Sequence, residues 1–104
     1  MSEVVDVPSA QRFEIRVDDE VAGFVSYRQA PDGLALVHTE IASRFEGQGL
    51  GSALAQGALK AAREAGTAVL PYCPFIRSYL QRHPDLVPLV PEARRAEFGL
   101  SGGG

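Results

Sequence analysis

The chain has 104 residues, 45% apolar and 22% charged, which suits one domain with one core and excludes a second. A net charge of −3 and the want of any apolar run as long as a membrane span exclude a general nucleic-acid binder and a helical membrane protein. One cysteine, Cys73, rules out an internal disulfide and a cysteine-rich zinc site, and two isolated histidines, His38 and His83, make no metal site.

In chain order, residues 1–11 carry little pattern and read as a flexible lead-in. Their acidic start lacks the basic-then-apolar order of a signal peptide, so a cytoplasmic location is the default expectation. Residues 12–18 alternate apolar with charged side chains, the mark of a strand with one wet face. Asp18-Asp19-Glu20 turns the chain into a second strand, 21–28, antiparallel to the first. Pro31-Asp32-Gly33 is a turn, with glycine accepting the left-handed region, and 34–41 closes a meander. A period of two sets Leu34, Leu36, His38 and Glu40 on one side of that strand and Ala35, Val37, Thr39 and Ile41 on the other.

Leu50, Leu54, Ala58, Ala61, Ala62 and Ala65 then recur at helical spacing, and Gly66 ends the helix. Residues 67–70 read as a buried strand, parallel to 34–41 because a helix joins the two. Pro71 has no N–H to give a central ladder, so pairing should stop or open there. Pro74 suits the first position of a second helix, with Phe75, Ile76, Tyr79, Leu80 and His83 on one face and Pro84 as its stop. Cys73 falls at or beside its N-cap, and His83 at the end of the helix dipole. A short strand at 86–90 and a last helical turn at 92–98 are expected within a domain spanning 12–100, followed by a disordered tail, 101–104.

Between the third strand and the first helix stands Arg44-Phe45-Glu46-Gly47-Gln48-Gly49-Leu50-Gly51-Ser52. A strand, a glycine turn and a helix N-terminus bare main-chain N–H groups and make a ready phosphate site. The spacing is neither a Walker loop, for want of a lysine, nor the dinucleotide fingerprint Gly-x-Gly-x-x-Gly. On the glycines alone, close helix–sheet packing explains the run equally well.

This run resembles motif A of the GCN5-related N-acetyltransferases, Gln/Arg-x-x-Gly-x-Gly/Ala, in either of two registers. The register Glu46-Gly47-Gln48-Gly49-Leu50-Gly51 sets Ser52 and Leu54 at the helix head as in the family, with Glu46 where the family has Gln or Arg. Together with His38-Thr39-Glu40-Ile41, Cys73-Pro74-Phe75, Tyr79 and Arg82-His83-Pro84, it is similar to the small single-domain branch of that family, the N-acetyltransferase-domain-containing type. The resemblance covers residues 12–87 and implies an α/β fold: an antiparallel meander leading into a central parallel β-α-β unit, a mixed sheet flanked by two main helices. It also implies acetyl-CoA held by Ile41, Gly47, Gln48, Gly49, Leu50, Gly51 and Ser52, with its pantetheine arm between splayed strands, and an amine acceptor.

Cys73, His38 and Tyr79 are the candidate catalytic residues. Cys73 would act as acyl-accepting nucleophile or only line the channel; His38 as proton acceptor or a structural residue; Tyr79 would protonate the departing thiolate or belong to the core. The functional reading is acetyl transfer to an amine, directly or through Cys73. The alternatives are a non-catalytic acyl-CoA binding or sensing module and a scaffold whose glycines serve packing. Exposed sheet edges allow a monomer or a weak homodimer.

Overall fold

The computed structural model describes residues 2–100, and its first element lies where no pattern was expected. Ser2–Val7 is a strand, β1, paired antiparallel with β2, Arg12–Val17. In its described part the expected flexible lead-in is thus an edge strand and the 3-10 turn Pro8–Ala10. The cause is tertiary. Val4 fills a notch at Gly57, where a Cβ would lie 2.5 Å from a Val4 methyl carbon, and Asp6 accepts a 2.6 Å hydrogen bond from the Tyr27 hydroxyl.

The meander continues through β3, Glu20–Ala30, and β4, Gly33–Ile41. Asp18 and Asp19 turn the first hairpin with positive φ of 49° and 69°, a region that a short polar side chain tolerates. Gly33 corrects the turn reading: its φ of 159° is nearly extended, and glycine is needed there because a Cβ would lie 2.8 Å from the Ala68 carbonyl oxygen. After the helix α1, Leu50–Glu64, the chain returns as β5, Val69–Pro71. The sheet order is β1-β2-β3-β4-β5, antiparallel as far as β4 and parallel between β4 and β5.

Six apolar side chains of α1, from Leu50 to Ala62, are buried and join Phe13, Ile15, Val25 and Leu36 in one core. Val4 pairs with Ile15 and touches Gly57 of α1, so the helix covers the sheet face that Ile15 occupies. Full burial of Leu54 and Leu59 contributes about 1.5–3 kcal/mol each. Ala65, read as part of the stripe, lies past the end of α1 and is exposed.

A β-bulge interrupts β4. Pairing with β3 steps from Ser26↔His38 to Tyr27↔Leu36, which leaves Val37 as the extra residue. Each such insertion reverses the alternation beyond it. Leu34 and Leu36 therefore share the α1 side with Thr39 and Ile41, while His38 and Glu40 join Phe24 and Glu14 on the opposite face. The period-of-two reading, which grouped Leu34 and Leu36 with His38 and Glu40, is corrected by this one residue.

Beyond β5 comes the helix α2, Pro74–Arg82, followed by a 3-10 turn at Pro84–Leu89 in place of the expected strand. Pro84 and Pro88 supply no N–H to a ladder, which a 3-10 turn tolerates better. The last expected helical turn is a pair of 3-10 turns, Glu92–Arg94 and Ala96–Phe98. The tail expected to be disordered, 101–104, lies outside the described residues. Among the described residues no helix is long and apolar enough to cross a membrane.

Candidate functional site

The glycine turn is built by backbone angle. Ser43–Phe45 makes a 3-10 turn, Glu46 is extended, and Gly47 and Gly49 take φ of 84° and 74°. Gly49 is the N-cap of α1 and no side chain caps the helix. Its O accepts from the N–H of Ala53, so the N–H groups of Leu50, Gly51 and Ser52 precede the first intrahelical bond and lack a helical partner. A helix of fifteen residues presents there about half a positive charge. A Cβ at Gly47 or Gly49 would meet no atom within 4 Å, so what demands glycine at both is φ. Gly51 differs: a Cβ would lie 2.9 Å from Cζ of Phe75, and its absence lets α2 close against the head of α1.

Charges around the turn are largely spent or turned out. Glu46, the departure from the motif, is exposed. Arg44 pairs with Glu20 and lies 4.8 Å from the Phe45 ring centroid, so its positive charge is already partnered. The main-chain donors are what remains for an anion.

Next to the turn the sheet opens. β5 follows β4 only to Leu36↔Pro71, after which the Cys73 N–H bonds to the Leu36 carbonyl at 2.8 Å and the Tyr72 N–H folds back to Leu70 at 3.0 Å. Residues 37–41 of β4 run on with no partner from β5. Pro71 stands at that parting, as its missing N–H leads one to expect.

Cys73 is the N-cap of α2 and 97% buried, yet its thiol makes no bond to the helix amides. Sγ lies 3.1 Å from Oγ1 of Thr39, which the bulge has brought to this side of β4. Sequence reasoning missed Thr39 because the signal, an extra residue at Val37, shows only in the pairing. His38 is not brought to Cys73. It is exposed on the opposite face, 3.4 Å from a Glu40 carboxylate oxygen and 6.2 Å from the Phe24 ring. Tyr79 is buried on α2, stacked on His83 at 4.0 Å, and its carbonyl oxygen lies 2.8 Å from Nδ1 of His83. His83 thus engages the last turn of its helix, as a helix-terminal histidine should.

On the opposite face, Glu14 is buried beneath two guanidinium groups. Arg12 Nε donates to it at 2.8 Å and Arg16 Nη2 at 2.8 Å. Those hydrogen bonds, Arg16 foremost, hold the Glu14 carboxyl below its ordinary range against the opposing effect of burial. Arg12 also lines a cleft of about 300 Å³, together with Val21, Ala22, Gly23, Phe24, Glu40, Ile41 and Ala42.

The uncapped helix N-terminus beside a parting parallel strand pair, with no lysine in the glycine turn and no Gly-x-Gly-x-x-Gly spacing, is the architecture of an α/β domain that is neither a P-loop nor a dinucleotide domain. Residues 12–89 match the family model described as GCN5-related N-acetyl-transferase, and the chain belongs to that family. The fold is similar to the solution structure of a GCN5-like protein from Staphylococcus aureus, with 20% identity, a TM-score of 0.64, and coverage of 86% of this chain and 87% of that one. No curated protein matches the sequence.

Proposed function

We propose that the protein transfers an acetyl group from acetyl-CoA to an amine in the cytoplasm, and that it stands with the small single-domain branch of its family. The carrying observation is the run of N–H groups at Leu50, Gly51 and Ser52 without a helical partner, beside residues 37–41 of β4, which have no partner from β5. Gly47, Gln48, Gly49 and those three amides fit the diphosphate of coenzyme A, and Ile41 fits its pantetheine arm. A bound acetyl-CoA supplies an activated thioester. The branch assignment is supported by the hairpin at Asp18 and Asp19, which leaves no room between β2 and β3 for the groove-building helices of larger members.

In this reading Cys73 faces the parted strands and accepts the acyl group. Burial keeps water from the acyl-enzyme. In this reading His38, beside Glu40 and across the sheet from Cys73, takes the proton of the acceptor's ammonium form before the neutral amine enters the strand gap. Tyr79, on the buried face of α2, returns a proton to the leaving thiol. A second reading, a non-catalytic acyl-CoA module, is supported by the tight hairpin at Asp18 and Asp19, which leaves no substrate groove between β2 and β3, with the exposed Glu46 lending no side-chain help to a diphosphate. The protein's monomeric or weakly dimeric state and its acceptor are part of the proposal.

The test is intact mass after incubation with acetyl-CoA, together with turnover on an amine panel. Acyl transfer through the thiol predicts a gain of one acetyl group on Cys73 and loss of at least a hundredfold in turnover in Cys73→Ala, with the CoA-induced thermal shift kept. Full turnover in Cys73→Ala supports direct transfer instead. Binding without turnover on any amine leaves the module reading, and no thermal shift with CoA sinks both.

A further inference from the structure

We infer that Thr39 is the positioning residue for Cys73: its hydroxyl aims the thiol into the strand gap and supplies the hydrogen bond that a buried thiolate requires. This rests on the reading of Cys73 as acyl acceptor and goes beyond it by assigning the partner. Three observations carry it. Sγ and Oγ1 lie 3.1 Å apart, across the point where β4 and β5 have stopped pairing. Cys73 is 97% buried and gains nothing from the amides of its own helix: Sγ makes no capping bond, Pro74 has no N–H, and the Cys73 N–H is spent on Leu36. His38, the one other residue expected to serve the thiol, lies on the opposite face of the sheet.

The chemistry decides the direction of the bond. With a neutral thiol either atom can donate; once sulfur is a thiolate, only the hydroxyl can. A buried anion without a donor is costly, and a hydrogen bond to a charged group is among the stronger ones. Thr39 therefore stabilises the reactive form of Cys73 and holds it on the β4 side of the gap. β-Branching leaves Thr39 few χ1 rotamers, and it is paired with Val25 of β3 two residues beyond the bulge, so the hydroxyl is held at a fixed place. In the transfer itself the Cys73 Sγ–carbon bond forms as the carbon–sulfur bond of the donor thioester breaks. The proton given up by Cys73 ends on the coenzyme A thiol. Attack by a neutral amine then breaks the Cys73 acyl bond, forms the amide, and returns a proton to Cys73. Thr39 gains and loses nothing in either half.

The experiment compares wild type, Thr39→Ser and Thr39→Val, with Thr39→Ala as a second hydroxyl-free variant should valine disturb the fold. The readout is the rate of Cys73 alkylation by iodoacetamide at pH 7 without any acyl donor, which a purely structural role would not move in this pattern. Loss of a hydrogen bond to the thiolate slows alkylation in Thr39→Val by about 10- to 100-fold, while Thr39→Ser stays within about threefold of wild type. Circular dichroism and the CoA-induced thermal shift remain those of wild type in every variant. Alkylation of Thr39→Val at the wild-type rate, or failure of serine to restore what valine loses, overturns the inference. Wild type that takes up no acetyl group while Thr39→Val still alkylates slowly overturns the acyl-acceptor reading and keeps the Thr39–Cys73 pairing, so the two fail separately.

Discussion

Glu14 is a carboxylate on what the alternation of β2 marks as a wet face, yet it is 95% buried between Arg12 and Arg16. Its hydrogen bonds lower the carboxyl in the folded chain below the ordinary 4.5. A group whose folded value is depressed contributes stability above its unfolded value, and that contribution is lost as pH falls through the folded value. The wild type should therefore lose stability from about pH 4.5 downward in part through this residue. In Glu14→Gln the two guanidinium groups face each other with one neutral acceptor between them. We expect that variant to be less stable at pH 7 by about 1–3 kcal/mol, with a shallower fall between pH 5 and pH 3. Urea midpoints across that range check it: an acid limb as steep as wild type's would show that Glu14 does not carry the dependence.

At the scale of elements, Gly57 shows a packing need overriding local preference. In an exposed helix interior, Gly→Ala gains about 1 kcal/mol from propensity. At Gly57 the new Cβ would lie 2.5 to 2.6 Å from the stiff, β-branched Val4, and overpacking of that kind costs about 1–3 kcal/mol. Overpacking wins. Gly57→Ala should destabilise, with faster amide exchange along β1, and the double variant Val4→Ala/Gly57→Ala should recover protection of α1 but not of β1; uniform exchange in all three chains would refute the coupling. The same contact explains which elements could be read in advance. β2, α1 and α2 carry their own period in the sequence, because each buries one face, and β3 and β4 carry theirs on either side of a bulge. β1 does not: Val4, Val5 and Val7 break alternation, and the strand exists because of a notch at Gly57, far downstream in α1. The glycine turn and the Cys73 N-cap were legible for a local reason, glycine φ and proline at the first helical position. The pairing of Cys73 with Thr39 was not, since it depends on the extra residue at Val37, and a bulge is a property of two strands rather than one.

Over the whole molecule, the family match ends at residue 89, and the chain goes on to close the end of the sheet where β5 begins. Val90, Phe98 and Leu100 are buried in the same core as α1, and Arg94 draws the segment inward. Its guanidinium donates to Glu97 at 2.6 Å, Asp32 at 2.6 Å and the Tyr72 hydroxyl at 2.6 Å. It thereby ties the C-terminal turns to the β3–β4 hairpin and to the residue before Cys73. The hydrogen bonds to Glu97, then to Asp32 and Tyr72, push the Arg94 guanidinium upward, and Arg94 in turn holds Glu97 below its ordinary range. Yet Asp32 and Glu97 are about half exposed, and ion pairs at such sites are screened by salt and worth little. Apolar burial should therefore outweigh the charges in holding this segment. Phe98, 96% buried and edge-on to Tyr72 with ring centroids 5.1 Å apart, should cost about 3–5 kcal/mol on truncation to alanine. Arg94→Ala should cost less, and its effect should shrink between 0.05 and 0.5 M salt, whereas that of Phe98→Ala should not. Urea unfolding of both variants at the two salt concentrations separates the forces: an Arg94→Ala loss as large as that of Phe98→Ala and insensitive to salt would mean that the guanidinium, not the ring, fastens the end of the chain.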